Sequence, residues 1–282
     1  MLHDALRQGW HWCAGAIVAA LAAAALAALA TPGAAAGAGP YLNALFEAVL
    51  RLGWFDFGAS VISGAPALAS AWSAMAASAT LTLPALLIAV PFGAALAILL
   101  THPATRSLAS PLVQAIGAVP MFAAALFFAP VFGSALMEGA PAAGSFAGGV
   151  APLVWLIGLA GAGAIAASLS RALRAAMREP YCAGLARLGL PRGEILTVYV
   201  ARQALGTAAK DAGEIVLVLI TAAALVEWVF AWPGAGTAFF RSLALHDWPL
   251  AAAIAFLFAL LRLSLGVAGA LASRALLGPE PR

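Results

Sequence analysis

From Phe57 to Thr105 the chain contains no Asp, Glu, Lys or Arg, and the same holds from Ser107 to Met137 and from Gly139 to Ser170. Soluble domains are about one quarter charged residues, whereas here 9% of 282 residues are charged and 64% are hydrophobic. That is too little charge to cover a water-facing surface, so lipid has to act as the solvent for most of the chain. A spanning helix takes about 17–25 mainly apolar residues. Stretches of that kind lie at roughly 12–30, 73–100, 108–130, 150–170, 211–231 and 249–273. The expectation is an all-α, polytopic membrane protein with six transmembrane helices. Residues 1–70 would hold the first helix and an extracytoplasmic segment, and residues 71–282 the main transmembrane domain. Pro84, Pro91 and Pro120 fall inside spans, where a surrounding bundle tolerates them. Small residues such as Gly158, Gly161 and Gly163 permit close helix contact, although a general bias of composition would also produce them.

Basic residues orient such a bundle. With the N-terminus inside, all of the 14 except Arg51, Arg241 and Arg262 fall on the cytoplasmic side, from Arg7 and Arg106 to Arg274 and Arg282. The net charge of +3 is therefore an orientation signal and not a nucleic-acid footprint, and both termini are expected in the cytoplasm. Arg7, the apolar run Ala14–Ala30 and Ala34-Ala35-Ala36 would also suit a cleaved secretory signal, leaving five spans in the same arrangement. Pro32 and Gly33 equally suit the end of a retained span. Cys13 and Cys182 make neither a disulfide framework nor a metal-ligand spacing. Between the first two spans, Tyr41, Leu42, Leu45, Phe46, Val49 and Leu50 recur at helical spacing, opposite Asn43, Glu47 and Arg51. This predicts a short amphipathic helix at the membrane surface or capping the bundle.

The longest polar stretch, at about 171–211, joins spans four and five. Ala183–Leu188 reads as a helix, with Gly189 as its stop and Pro191 in the first turn of the next helix. Two short helices at a sharp bend make a compact projection suited to a partner's groove, with Leu185 and Leu188 as apolar contacts. An ordinary basic loop serving only orientation is the simpler alternative.

Tyr181 and Gly189, with seven residues between them, are followed by Arg202-Gln203-Ala204-Leu205. Farther on come Glu227, Phe230, Trp232-Pro233-Gly234, Gly236 and then Asp247-Trp248-Pro249. This run resembles the ABC import permeases of the dipeptide, oligopeptide and nickel branch, in which a coupling loop precedes a Trp-Pro-Gly element. Asp56-Phe57-Gly58 is similar to that branch's first loop. The chain departs from it where Ala183-Gly184-Leu185 replaces Glu-Ala-Ala, where Thr207 replaces a proline, and where Arg262 stands in the last span. The resemblance implies a permease subunit that moves a small solute, peptide-like or a metal chelate. It implies coupling through Tyr181, Ala183, Gly184, Leu185, Leu188 and Gly189. The implied partners are a second, homologous permease, two ATPase subunits holding ATP and magnesium, and an extracytoplasmic solute-binding protein.

The residues themselves agree that ATP is bound elsewhere. A phosphate loop needs Lys after Gly, and the single lysine, Lys210, follows Ala209. No cofactor or metal site is expected in this chain. A secondary transporter or channel would instead use intramembrane charges, for which Glu214, Glu227 and Arg262 are the candidates. Helix rise places either carboxylate about 10 Å from Arg262 along the membrane normal. Arg262 is thus expected either to pair with Glu214 in the interior or to line a solute path. A membrane enzyme is disfavoured, because His3, His11, His102 and His246 lie outside or at the edges of the spans.

Overall fold

The computed structural model describes residues 38–52, 55–118, 123–128 and 150–277, together with Val18, Leu21, Ala25 and Ala28. The rest of the first expected span, and residues 119–122 (Pro120 among them) and 129–130 of the third, lie outside the described residues. The described helices are α1 (Ala38–Leu52), α2 (Ala67–Thr101), α3 (Pro103–Ala118), α4 (Ala151–Ala176), α5 (Pro180–Arg187), α6 (Ala201–Ala209), α7 (Ala212–Val229), α8 (Ala235–Ala244) and α9 (Trp248–Leu277). Among these residues the only β pairing is one isolated bridge, Ala59 to Pro66.

Four of these helices, α2, α4, α7 and α9, are long and apolar enough to cross a membrane. They coincide with the expected second, fourth, fifth and sixth spans. Around the expected third span, α3 and residues 123–128 are helical. The 35 residues of α2 correspond to about 52 Å, well beyond the roughly 30 Å of hydrocarbon in a bilayer. Pro84 and Pro91 sit within it without interrupting it.

Packing around α4 shows what two of the small residues do. A Cβ at Gly158 would stand 3.2 Å from the carbonyl oxygen of Ala85, and one at Gly161 would stand 2.6 Å from Leu219 Cδ2. These glycines are contact surfaces on which α2 and α7 close against α4. Around them Leu81, Leu153, Ile157, Leu219 and Val226 form one buried cluster.

The helix expected near residue 45 is α1. It buries Ala44 and leaves Leu42, Phe46, Val49 and Leu50 exposed, with Leu45 packed against the cluster of Phe57, Ala252 and Phe256. It therefore touches the bundle along one narrow edge and presents apolar residues outward. Sequence periodicity gave no sign of α8, a ten-residue helix between the last two spans.

Candidate functional site

At one end of the bundle, α4 runs into a helical hairpin. Glu179 is extended and Pro180 opens α5 at its first position, where the missing N–H costs nothing. The helix stops after Arg187, and Gly189 has φ +87 with open space where a Cβ would stand. The constraint at Gly189 is thus purely one of backbone conformation. Beyond Pro191, a short turn at Arg192–Glu194 passes into a π-helical stretch, Ile195–Val200, that continues as α6.

The hairpin is fastened by Cys182, Ile195, Val200 and Ala204, which are buried against Leu169, Leu173 and Ala176 of α4. Leu185, expected as an outward contact, is half-buried and packs in part against this inward face. Leu188 is 79% exposed, and Ala183, Gly184, Ala186 and Gly189 share its open surface. Tyr181 donates its hydroxyl to Gln203 Oε1 at 2.8 Å, tying α5 to α6. Desolvation, with Cys182 second, holds the phenol above its ordinary range, so it remains a donor.

The Trp-Pro-Gly element lies at the opposite end of α7. Ala231 turns the chain with φ 52, after which the backbone N–H of Trp232 donates to the carbonyl of Glu227 at 2.9 Å. Gly234, the residue before α8, has no side chain with which to cap it. Its role is taken from elsewhere: Ala235 N–H donates to Ser78 Oγ of α2 and Gly236 N–H to Glu227 Oε2 of α7, both at 2.7 Å. A Cβ on Gly234 would stand 2.3 Å from that carboxylate oxygen, and one on Gly236 would stand 2.2 Å from Ala224 Cα. Glu227 is fully buried, with one carboxyl oxygen accepting at the N-terminus of α8. It joins three helices instead of facing an open path. Phe230 and Trp232 pack beside Val226.

Asp247 repeats the device one helix later. His246 takes φ 58, and the buried Asp247 accepts from Ser60 Oγ at 2.5 Å and from the amides of Ile62 and Leu250 at 3.3 Å. Pro249 follows in the first turn of α9. The loop after Asp56-Phe57-Gly58 is thereby pinned to α9, and Phe57 packs at a tilt against Phe256 with ring centroids 5.4 Å apart. Ser60 and Ser78 carried no signal in the sequence, since their partners are distant along the chain; Gln203 stood in the Arg202–Leu205 run, but nothing there named Tyr181 as its partner.

The third group of charges lies near the hairpin end of α7. Asp211, just before α7, accepts from Ser168 Oγ at 2.7 Å and pairs with Arg171 at 3.2 Å. Arg262 pairs with Glu214 Oε1. The expected gap between them is absent because α9 continues to Leu277 and its second half runs beside α6 and the first turn of α7. A Cβ on Gly269 would meet the carbonyl of Ala209 at 2.2 Å, and one on Gly213 would meet Gly266 Cα at 3.3 Å. The pair is not interior to this chain, since the Arg262 and Glu214 side chains are 38% and 66% exposed. Among the described residues no cluster of His, Cys, Asp and Glu suits a metal ion.

The sequence signature of the binding-protein-dependent transport system inner membrane component matches residues 89–277. The chain belongs to that family. No curated protein matches it closely enough to register. The permease is thus an ABC importer component, a multi-pass membrane protein whose system includes a solute-binding protein and ABC partners. The matched region runs from within α2 to the end of α9, so it contains the hairpin, the Glu227 cap and the Asp247 cap. Glu214 is the third residue of α7, about 3 Å along its axis from the hairpin end. Arg262 is the fifteenth of the thirty residues of α9, so the pair joins the first turn of α7 to the middle of α9.

Proposed function

We propose that this permease belongs to the branch that imports peptide-like solutes or metal chelates, and that the hairpin of α5 and α6 is where it engages an ATPase subunit. The observation that carries the reading is the hairpin itself. Its inward face, with Cys182 and Ile195, is bound to α4, while its outward face presents the exposed Leu188 and the left-handed Gly189. An apolar side chain on a rigid helical projection with nothing of its own chain over it fits the groove of a partner. In this reading the hairpin end faces the cytoplasm, both termini lie there, and a second homologous permease completes the path. Two ATPase subunits bind ATP and magnesium below, and the solute-binding protein delivers cargo from outside. The Trp-Pro-Gly element supports the branch assignment through its resemblance to that branch.

The test is substitution at Gly189. A β-branched residue in the left-handed region costs about 1–2 kcal/mol or more, so Gly189→Val should bend the hairpin while leaving the bundle inserted. The expected outcome is a membrane-inserted variant that co-purifies poorly with its ATPase subunits. Gly189→Asn, which tolerates this conformation, should retain them. Normal attachment of the valine variant would remove the coupling role.

A further inference from the structure

Arg106 stands in the first turn of α3, while Arg171, Arg174 and Arg178 follow at helical spacing through the last turns of α4 and just past it. Packing brings the two groups together. Leu96, Leu100, Ala109 and Ala166 form a buried cluster joining α2, α3 and α4, with Val113 against it. Arg106 lies one turn before Ala109, and Arg174 two turns beyond Ala166. The charges of Arg106, Arg178 and Arg171 all act on Arg174. Like charges held together repel unless an anion is present.

Within the chain only part of that repulsion is offset. Arg171 pairs with Asp211. Among the described residues no carboxylate pairs with Arg106, Arg174 or Arg178. An orientation signal alone does not require this convergence, since arginines spread along a loop, such as Arg187, serve it equally. The cluster also lies where the apolar α2 and α4 end, and Leu108, two positions after Arg106, is 78% exposed.

We propose that Arg106, Arg174 and Arg178 form a binding site for the phosphate headgroup of an anionic phospholipid in the adjacent leaflet. Guanidinium groups bind phosphate oxygens in pairs of hydrogen bonds, and exposed Leu108 gives the acyl chains an apolar surface. A lipid fits better than an acidic protein surface because it would satisfy both features at once, its phosphate meeting the arginines and its acyl chains the exposed Leu108 beside them. The inference rests on the proposed orientation only for which leaflet is meant.

The test is selective retention of lipid by the purified permease. Protein exchanged into detergent is incubated with vesicles of phosphatidylcholine with and without phosphatidylglycerol, and retained lipid is counted by native mass spectrometry. The wild type should keep phosphatidylglycerol in preference to phosphatidylcholine. Arg106→Gln with Arg174→Gln should lower that preference about thirtyfold, at about 1 kcal/mol for each arginine. The double Lys variant, which keeps both charges, shows that the site survives in a folded chain and should retain most of the preference. Equal retention of the two lipids by the wild type would overturn the proposal. So would displacement by inorganic phosphate alone, which would indicate a soluble anion site. A Gln variant that holds phosphatidylglycerol but loses its ATPase subunits would also overturn it, in favour of a protein contact. A wrong orientation would show separately, in the side from which introduced cysteines are labelled.

Discussion

At Gly234 and Gly236 the space left for a side chain decides the residue. Both amides beside the Trp-Pro-Gly turn are met by groups from other helices, Ser78 and Glu227, and the backbone has closed onto those partners. A methyl group at Gly236 would collide with the Ala224 backbone, which cannot move aside without displacing α7. We expect Gly236→Ala to destabilise the purified protein by about 1–3 kcal/mol, read as a lowered thermal midpoint in detergent. Gly184→Ala is the control. Nothing lies within 4 Å of its added carbon, and alanine favours helix, so its midpoint should not fall. Equal losses at the two positions would show that the close approach is not what matters at Gly236.

Among elements, the contact of α7 with α9 is set by glycines and small residues. The Arg262–Glu214 pair bridges the same contact from its exposed side. Breaking a buried ion pair costs about 3–5 kcal/mol because a charge is stranded, whereas exposed pairs contribute about 0–1 kcal/mol. Arg262→Met should therefore shift the stability of the isolated permease by under about 1 kcal/mol, and adding Glu214→Gln should change it little further. Denaturation in detergent reads both variants. A single-variant loss of several kcal/mol, restored by the double variant, would mean that the pair behaves as a buried one. Transport assays then separate the roles: normal folding with lost transport assigns Arg262 to the solute path.

For the molecule as a whole, the hairpin and the loop after α1 lie at opposite ends of α2 and α4, which makes orientation directly measurable. Ser63 and Gly193 are both exposed. A cysteine at Ser63 should react with a membrane-impermeant thiol reagent in intact cells, and one at Gly193 only after the membrane is opened. Cys182 is buried, and a parent lacking both native cysteines removes the background. The reverse pattern would overturn the orientation drawn from the basic residues, and the coupling reading with it.

Uncharged runs longer than a bilayer dictated membrane helices, because hydrocarbon offers no partner for a backbone N–H or a charge. Four of those helices appear near their expected bounds. The hairpin was equally legible, since proline at a helix start and glycine past its end act through local backbone geometry. The resemblance located Glu227, Gly236 and Asp247 but supplied no reason for them. That reason is tertiary: Ser78 and Ser60 reach their partners across most of the chain's length, and no local pattern encodes a cap donated by another helix. Leu185 and Arg262 illustrate the same limit. The sequence marked Leu185 as an apolar residue of the hairpin and Arg262 as a charge within a span, but which way Leu185 points depends on α4, and which carboxylate meets Arg262 depends on where α9 meets α7. Local preferences fix which segments become helices, whereas facing, depth and partners follow from how the helices close on one another.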